Sequence, residues 1–485
     1  MLGGLFHYFQ KNDRLGWALL LLLVSGLLIW LTKDFPFYWD NVVQLSVPAN
    51  WFYQHRFATL LLPDAITTGH PPLGGMYLAG VWMLLGRSLW ISHLAMWPFV
   101  FGLLYQLKRL ADHLKIEPLS LKGWLLAFVY LDATFLSQLS LITFDVIHLF
   151  ALFWSVNALL SGRRDWLYLS FSLLLLISLR GAISGAGLVL FYAAYRYGVE
   201  RQPFRLADYR YFLPGAGLLL AFLVYFSWSK GWIVHNTTSQ NWTDAGTFAD
   251  AKGILKNTAL FIWRWIDFGR ICWVIVGILA MGHIVRRWSS LSTALQVLFL
   301  MGLSQLLVFF PLIVIYQNPF GHRYLLPLLI PFCWFSVYWV WHYARHRQLI
   351  LLGAWVVLLS GHFWRYPLQV SQGWDSTTLH WHYFYTSEKI HGWLAENDVP
   401  LSEVTTFFPL YSPRSLTHIE KDTTDFRSYP CDPCRYAIFS NAFNEPDDVI
   451  ADFYGHEQKW KPVVTYSRGG IYTTLFERLS EKESE

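Results

Sequence analysis

Few ionisable side chains interrupt the apolar part of this sequence, and those that do can transfer protons or bind anions. A carboxylate beside a cavity can accept the proton of a hydroxyl group. An arginine offers a planar fork of donors that matches phosphate oxygens, and a histidine can also contact an anion. Because ionisable groups at membrane depth are costly and usually line a cavity or pathway, these residues predict a reactive site. The candidates are Asp40, His70, Asp145, Arg180, His322 and Arg323.

Each of the main candidates also has a purely structural interpretation. Asp40 precedes a predicted interfacial helix and is equally well explained as its N-cap. Asp145 precedes an apolar run and could cap that run, while a lone loop histidine such as His70 is usually only solvated. Arg180 and Arg323 could instead extend towards lipid headgroups. Position and residue type alone leave these alternatives open.

The composition excludes an ordinary soluble enzyme. The 485 residues are 54% hydrophobic and 14% charged, whereas a soluble domain carries roughly 25% charged residues. Residues 365–485 hold 18 of the 32 acids and 11 of the 37 bases, so a body of net charge +12 precedes a tail of net charge −7. The bases of the body lie in short loops and form no contiguous patch, which argues against a nucleic-acid partner.

Eleven apolar runs supply the elements that must position the candidate residues. A bilayer core needs about 20 mostly apolar residues per helix. Eight runs approach this length, and three shorter runs reach it with a few flanking residues. The runs are 16–32, 89–107, 123–139, 147–160, 166–179, 182–195, 211–229, 269–285, 293–315, 325–343 and 348–364.

The distribution of Lys and Arg predicts the orientation of these helices. If the run 72–86 is an interfacial or re-entrant segment, the basic residues of the short loops, from Lys11 to Arg347, fall on the cytoplasmic side. The N-terminus is then cytoplasmic, with a first helix that is retained rather than removed as a signal peptide. All six candidate residues face outwards, and so does the acidic tail.

The tail, 365–485, is predicted to be a small α/β domain. Helical patterns cover 387–397 and 446–454, strand patterns cover 403–408 and 435–440, and two strands flank a Gly-Gly hairpin signal at 469–470. Cys431 and Cys434 are predicted to form a local disulfide, because a metal site or a thioredoxin-type motif lacks its remaining residues here.

Five short motifs, by their sequence and their order along the chain, resemble those of the C-type (GT-C) membrane glycosyltransferases. The branch most similar contains the lipid A aminoarabinose transferases and the protein O-mannosyltransferases. Asp40 in Tyr-Trp-Asp resembles the family's first acidic motif, and Asp145 stands where the family has a second Asp. His70-Pro-Pro-Leu resembles a Lys-Pro-Pro-Leu motif, with His in place of Lys. Arg180-Gly resembles a basic-residue-Gly turn, and Arg323-Tyr-Leu-Leu-Pro resembles an Arg-Tyr-x-x-Pro segment.

The resemblance implies a fold class. It is a polytopic all-α membrane protein with about 11 transmembrane helices and juxtamembrane helices in the first outer loop, followed by a C-terminal soluble α/β domain. The transmembrane domain is predicted to cover 1–364, and the soluble domain 365–485. No cofactor is predicted, and a divalent metal lacks support because Asn41 stands where the family often has a second acid.

The resemblance also implies a reaction: an inverting transfer of a sugar from a polyprenyl-phosphate donor to a hydroxyl group of a lipid, glycan or protein acceptor. Asp40 is then the general base, Asp145 a second catalytic carboxylate, and His70, Arg180, His322 and Arg323 bind the donor phosphate. The absence of a GxGxxG fingerprint agrees with a lipid-linked rather than a nucleotide-linked donor. The implied location is a bacterial inner membrane with the tail in the periplasm. The alternatives are an oligosaccharide ligase or polymerase, and a transporter.

Overall fold

The computed structural model describes residues 13–479 except 204, 234–246, 318–319, 369–372, 422–424, 444, 446 and 456–459. Lys11, one of the predicted cytoplasmic basic residues, lies outside this part. Up to residue 360 the described chain is helical, in an order that follows the apolar runs. The helices are α1 (Asp13–Thr32), α2 (Val47–His55), α3 (Leu73–Leu85), α4 (Leu89–His113), α5 (Leu119–Tyr130), α6 (Ala133–Leu139), α7 (Phe144–Leu160), α8 (Arg164–Ile177), α9 (Leu179–Gly198), α10 (Leu213–Lys230), α11 (Ala251–Ile266), α12 (Ile271–Arg287), α13 (Thr293–Ile315), α14 (Leu326–Tyr343) and α15 (Arg347–Ser360).

Every predicted apolar run contains a helix, and the juxtamembrane segment of the first outer loop is helical as well. In this segment a π-helical turn, Val42–Ser46, leads into α2. Among the described residues, four helices are long and apolar enough to cross a membrane, or six if two sharply bent pairs each count as one span. The fold class is confirmed, while the number of spans and their orientation stay predictions.

Two breaks in the helices differ from the sequence interpretation. The run 123–139 was expected to be one helix, and this is wrong, because α5 and α6 meet at an angle of 71°. The cause is Asp132, whose carboxylate accepts the N–H groups of Thr134 and Phe135, both at 3.0 Å, and so starts a new helix. The second break lies between α11 and α12, which meet at an angle of 100°. Helix α11 lies in a segment that was predicted to be a loop.

The C-terminal part forms a small sheet covered by helices, as predicted. Helix α16 (His380–Glu396) precedes the sheet, and α17 (Arg414–Thr417) and α18 (Asp447–Gly455) lie between strands. The sheet order is β2-β1-β3-β5-β4; β1 runs parallel to β2 and β3, and β5 pairs antiparallel with β3 and β4. Cys431 and Cys434 form the predicted disulfide. The strands are β1 (Val404–Thr406), β2 (Arg427–Ser428), β3 (Tyr436–Ser440), β4 (Trp460–Arg468) and β5 (Ile471–Arg478).

The tail packs on the segment that follows α1. The ring of Tyr38 stacks on His380 with centroids 5.6 Å apart, and the ring of Trp39 lies 5.3 Å from that of Phe408. Tyr38 also belongs to a buried apolar cluster whose other members come mainly from the tail. Since Asp40 comes next in the chain, this packing fixes the position of the first candidate residue.

Candidate active site

Arg323 lies at the centre of a buried ionic cluster. It belongs to a 3₁₀ turn, His322–Leu325, that leads into α14, and its side chain is 4% exposed. Its Nη2 contacts the carboxylate of Asp40, its Nε lies 3.3 Å from Oδ2 of Asp145, and its Nη1 contacts the carboxylate of Asp375. Three carboxylates from distant parts of the chain therefore surround one guanidinium group.

Arg180 extends this cluster on the side of Asp145. Its Nη1 lies 2.7 Å from Oδ1 of Asp145, so one carboxylate bridges both arginines. The guanidinium carbon lies 4.0 Å from the ring centroid of Tyr324 and 4.9 Å from that of Phe144. Nη2 of Arg180 is buried and has no hydrogen-bond partner in the described part of the chain. The arginine is held by ring stacking and one ion pair, and its Nη2 amino group is left to bind a ligand.

Asp40 and Asp145 do not serve as the helix caps that their positions also allowed. Trp39 has a left-handed backbone, with φ 56°, which turns the chain just before Asp40. The π-helical turn that follows has Asn41 at its N-cap and no side-chain capping bond. Helix α7 is capped by Thr143, whose Oγ accepts the N–H of Asp145 at 3.2 Å. Both carboxylates are thus available to the arginines.

The turn before Arg180 explains the glycine that follows it. Ser178 caps α9 by accepting the N–H of Gly181 at 3.2 Å. A Cβ atom on Gly181 would lie only 1.8 Å from the carbonyl oxygen of Leu174 in α8. The close contact between α8 and α9 therefore requires glycine at this position, and it places Arg180 in the first turn of α9 beside Asp145.

His70 borders the cluster without joining it by an ion pair. Its Nδ1 accepts the N–H of Leu179 at 3.3 Å, and its ring lies 6.2 Å from that of Phe144. Burial, helped by the positive charge of Arg180 and opposed by the carboxylate of Asp145, lowers the pKa of His70 from 6.5 to about 4. The imidazole is therefore neutral near pH 7, and Nε2 carries its proton.

The structure does not bring His322 to this cluster. Its side chain is fully buried, and Nε2 lies 2.6 Å from Oδ2 of Asp267 and 3.4 Å from Nη1 of Arg264. Tyr366 donates its hydroxyl proton to the other oxygen of Asp267. His322 and Arg323 are adjacent in sequence but belong to two separate polar clusters.

An ion pair between the two helix breaks was not predicted from the sequence. Arg270, beside the break between α11 and α12, donates to both oxygens of Asp132, at 2.8 and 2.7 Å. Asp132 begins α6, so this pair ties one bent helix to the other. No local pattern marks the pair, because 138 residues separate its members.

Asp375 is a further residue that sequence reasoning missed. It follows the last apolar run in a polar stretch, Gly373 to Thr378, and was assigned with the tail. Its backbone carbonyl accepts hydrogen bonds from Ser137 and, at 2.8 Å, from Nε2 of Gln138. The only signal in the sequence is an acid that follows an apolar run whose end is predicted to face outwards, as Asp40 also does.

The three carboxylates differ in their access to solvent. The side chain of Asp40 is 20% exposed, whereas those of Asp145 and Asp375 are each 4% exposed. Three carboxylates against two guanidinium groups leave one uncompensated negative charge. Within the described ranges, no group of three His, Cys, Asp or Glu side chains is arranged to hold a metal ion. Because Asp40 is the most exposed of the three carboxylates, a molecule that enters from solvent would meet it first.

Comparison with known proteins bears on the fold. No protein-family model matches the sequence, and no curated protein matches it. The solved structures that it resembles include ArnT from Cupriavidus metallidurans bound to undecaprenyl phosphate, at 10% identity and a TM-score of 0.51, over 95% of this chain and 98% of that chain. The apo state of the same protein matches at 11% identity and a TM-score of 0.49, over 96% and 98% of the two chains. The first of these likenesses shows that this chain shares the fold of that ArnT structure over nearly its whole length.

Proposed function

We propose that this protein is an integral membrane glycosyltransferase that moves a sugar from a polyprenyl-phosphate donor to an acceptor hydroxyl group at the outer face of the membrane. One observation carries the proposal: Asp40, Asp145, Arg180 and Arg323, from four separate segments, meet in a single cluster. A base beside paired guanidinium groups is what displacement of a phosphate from a sugar requires. ArnT was crystallised with undecaprenyl phosphate, a lipid of the same chemical class.

Asp40 is the general base in this proposal. Its carboxylate is the most exposed of the three in the cluster, and Nη2 of Arg323 fixes its direction. As the acceptor oxygen bonds to the anomeric carbon, its proton moves to Asp40 and the bond from that carbon to the phosphate oxygen breaks. The phosphate leaves with the electron pair. A single displacement inverts the configuration at the anomeric carbon.

The donor phosphate binds at the guanidinium groups. The free Nη2 of Arg180 is a buried donor without a partner, an arrangement that is costly unless a ligand supplies the acceptor. Charge-assisted hydrogen bonds from Arg180 and Arg323 stabilise the phosphate as its charge grows. His70 is neutral, so its contribution is a hydrogen bond from Nε2 rather than a positive charge.

Asp145 and His322 take positioning roles. Asp145 bridges Nη1 of Arg180 and Nε of Arg323, so it sets the distance between the two cations. His322 holds the turn before α14 through Asp267, and this orients the adjacent Arg323. Neither side chain needs to touch the donor to have these effects, which separates them from Asp40.

The proposed location follows from where the sugar donor is made and how it reaches the site. Nucleotide sugars are made in the cytosol, so a site on the outer face needs a donor that has been flipped across the bilayer on a lipid. We therefore place the N-terminus in the cytoplasm and the tail in the periplasm of a bacterial inner membrane. Residues 1–364 form the catalytic membrane domain and 365–485 the soluble domain, although Asp375 of the second contributes to the site of the first.

The test is transfer of labelled sugar by the purified protein in lipid nanodiscs, with a polyprenyl-phosphate sugar as donor. The expected product is an acceptor that carries one added, labelled sugar with inverted configuration at the anomeric carbon. The Arg323→Ala variant is expected to lose affinity for the donor. Transfer from a polyprenyl-linked oligosaccharide, but not from the single-sugar donor, would indicate a ligase or polymerase. Uptake of a solute without any transfer would indicate a transporter and refute the proposal.

A further inference from the structure

Each of the three nitrogen atoms of the Arg323 guanidinium group contacts a carboxylate. Asp145 lies on Nε, Asp40 contacts Nη2, and Asp375 contacts Nη1. A guanidinium group binds phosphate through the same N–H groups that it offers to a carboxylate. A donor phosphate that binds one of these nitrogen atoms therefore competes with the carboxylate already there.

Asp375 is the carboxylate whose displacement from Arg323 disturbs the proposed reaction least. Asp145 is also held by Arg180 at 2.7 Å, and Asp40 must stay beside the reacting hydroxyl group in the proposed reaction. In the described part of the chain, Arg323 is the only cation that contacts Asp375, and its other oxygen accepts only the hydroxyl of Ser376, at 3.3 Å. Displacement of Asp375 from Arg323 thus leaves both the Arg180–Asp145 ion pair and the proposed base in place.

The backbone at Asp375 is anchored independently of its side chain. Its carbonyl accepts hydrogen bonds from Ser137 and Gln138 of α6, and the carbonyl of Ser376 accepts one from Thr134 at 2.9 Å. These bonds do not involve the carboxylate. The side chain can therefore turn away from Arg323 about χ1 while the tail stays in place on the body.

We infer that Asp375 is a further residue of the donor site, one that sets donor affinity. Its carboxylate occupies Nη1 of Arg323 when no donor is bound, and the donor phosphate replaces it there. The inference rests on the proposed function. The exchange of one anion for another keeps the number of anionic groups in contact with Arg323 the same in both states. It also weakens the hold on the released lipid phosphate, which carries more negative charge than the donor diester and would otherwise bind more tightly.

The experiment measures the dissociation constant of undecaprenyl phosphate, used as the probe, for the full-length protein in nanodiscs. Asp375→Asn keeps the size of the side chain and its backbone anchors but removes the competing charge, so we expect binding about tenfold tighter than for the wild type. Asp375→Glu keeps the charge and is expected to show no such gain. Asp34→Asn removes an exposed acid that pairs with Lys33, and it should leave the dissociation constant unchanged.

The outcomes separate this inference from the proposed function. If Arg323→Ala weakens binding but Asp375→Asn binds no more tightly than the wild type, the inference is wrong and the donor site stands. If Arg323→Ala leaves the affinity unchanged, the phosphate does not bind at Arg323 and both are wrong. Melting temperatures of all variants identify any that are misfolded, and Asp375→Ser then replaces Asp375→Asn as the charge-removing variant with the same expected gain in affinity.

Discussion

Asp40→Asn tests the chemical step most directly. Asparagine has nearly the same shape and can still accept a hydrogen bond from Nη2 of Arg323, but it cannot take up the proton of an acceptor hydroxyl. Loss of a general base typically slows the chemical step by about 10²–10⁴-fold, or about 3 to 5 kcal/mol in the barrier. The same change removes the one uncompensated negative charge of the cluster. Donor binding should therefore be unchanged or tighter while transfer fails.

Single-turnover transfer from a labelled undecaprenyl-phosphate donor separates these effects, because binding and chemistry are measured on the same enzyme. Asp34→Asn, on an exposed acid just beyond α1, is the matched control and should transfer at the wild-type rate. A rate for Asp40→Asn within about threefold of the wild type would remove Asp40 as the base. A slow variant that also loses donor affinity would instead show that Asp40 holds the cluster together.

The remaining predictions concern the elements around the site. Arg180→Lys keeps the charge but loses the planar fork, so donor affinity should fall about tenfold in a titration with undecaprenyl phosphate. Gly181→Ala places a Cβ 1.8 Å from the carbonyl of Leu174, and it should lower both the melting temperature and the transfer rate, whereas Gly80→Ala, with open space around it, should change neither. Burial alone would raise the pKa of Glu388, but hydrogen bonds from its neighbours lower it to about 2 from 4.5. Its stabilising contribution, about 1 kcal/mol or less because the side chain is half exposed, is present above pH 4.5 and lost as the pH falls towards 2. The difference in melting temperature between wild type and Glu388→Gln should shrink over that range.

The sequence predicted the helices well because apolar length is a strong signal. It failed at the two breaks, for different reasons. A single Asp132 inside an apolar run does not change the run's hydropathy, and the partner that makes its burial tolerable, Arg270, is distant in sequence. Helix α11 carries Lys252 and Lys256, so it lacks the uniform apolar character that identifies a membrane-spanning run.

The grouping of charged side chains was predicted in part, while their roles stay predictions. Asp40, Asp145, Arg180 and Arg323 stood out because charges are rare between apolar runs, and the structure brings all four together. His322 was assigned the same role as its neighbour, but successive residues in a 3₁₀ turn point about 120° apart. Being adjacent in sequence therefore does not place the side chains of His322 and Arg323 in the same site.

Asp375 shows why a boundary in composition is not a boundary of function. The acidic tail begins where the last apolar run ends, so charge and hydropathy both place a division near residue 365. Yet the tail supplies the third carboxylate at Arg323, and its rings pack against Tyr38, two residues before Asp40. Without the tail, Nη1 of Arg323 and the ring of Tyr38 would each lose a buried partner. The membrane body and the tail therefore complete one site, and the geometry of the proposed base depends on both.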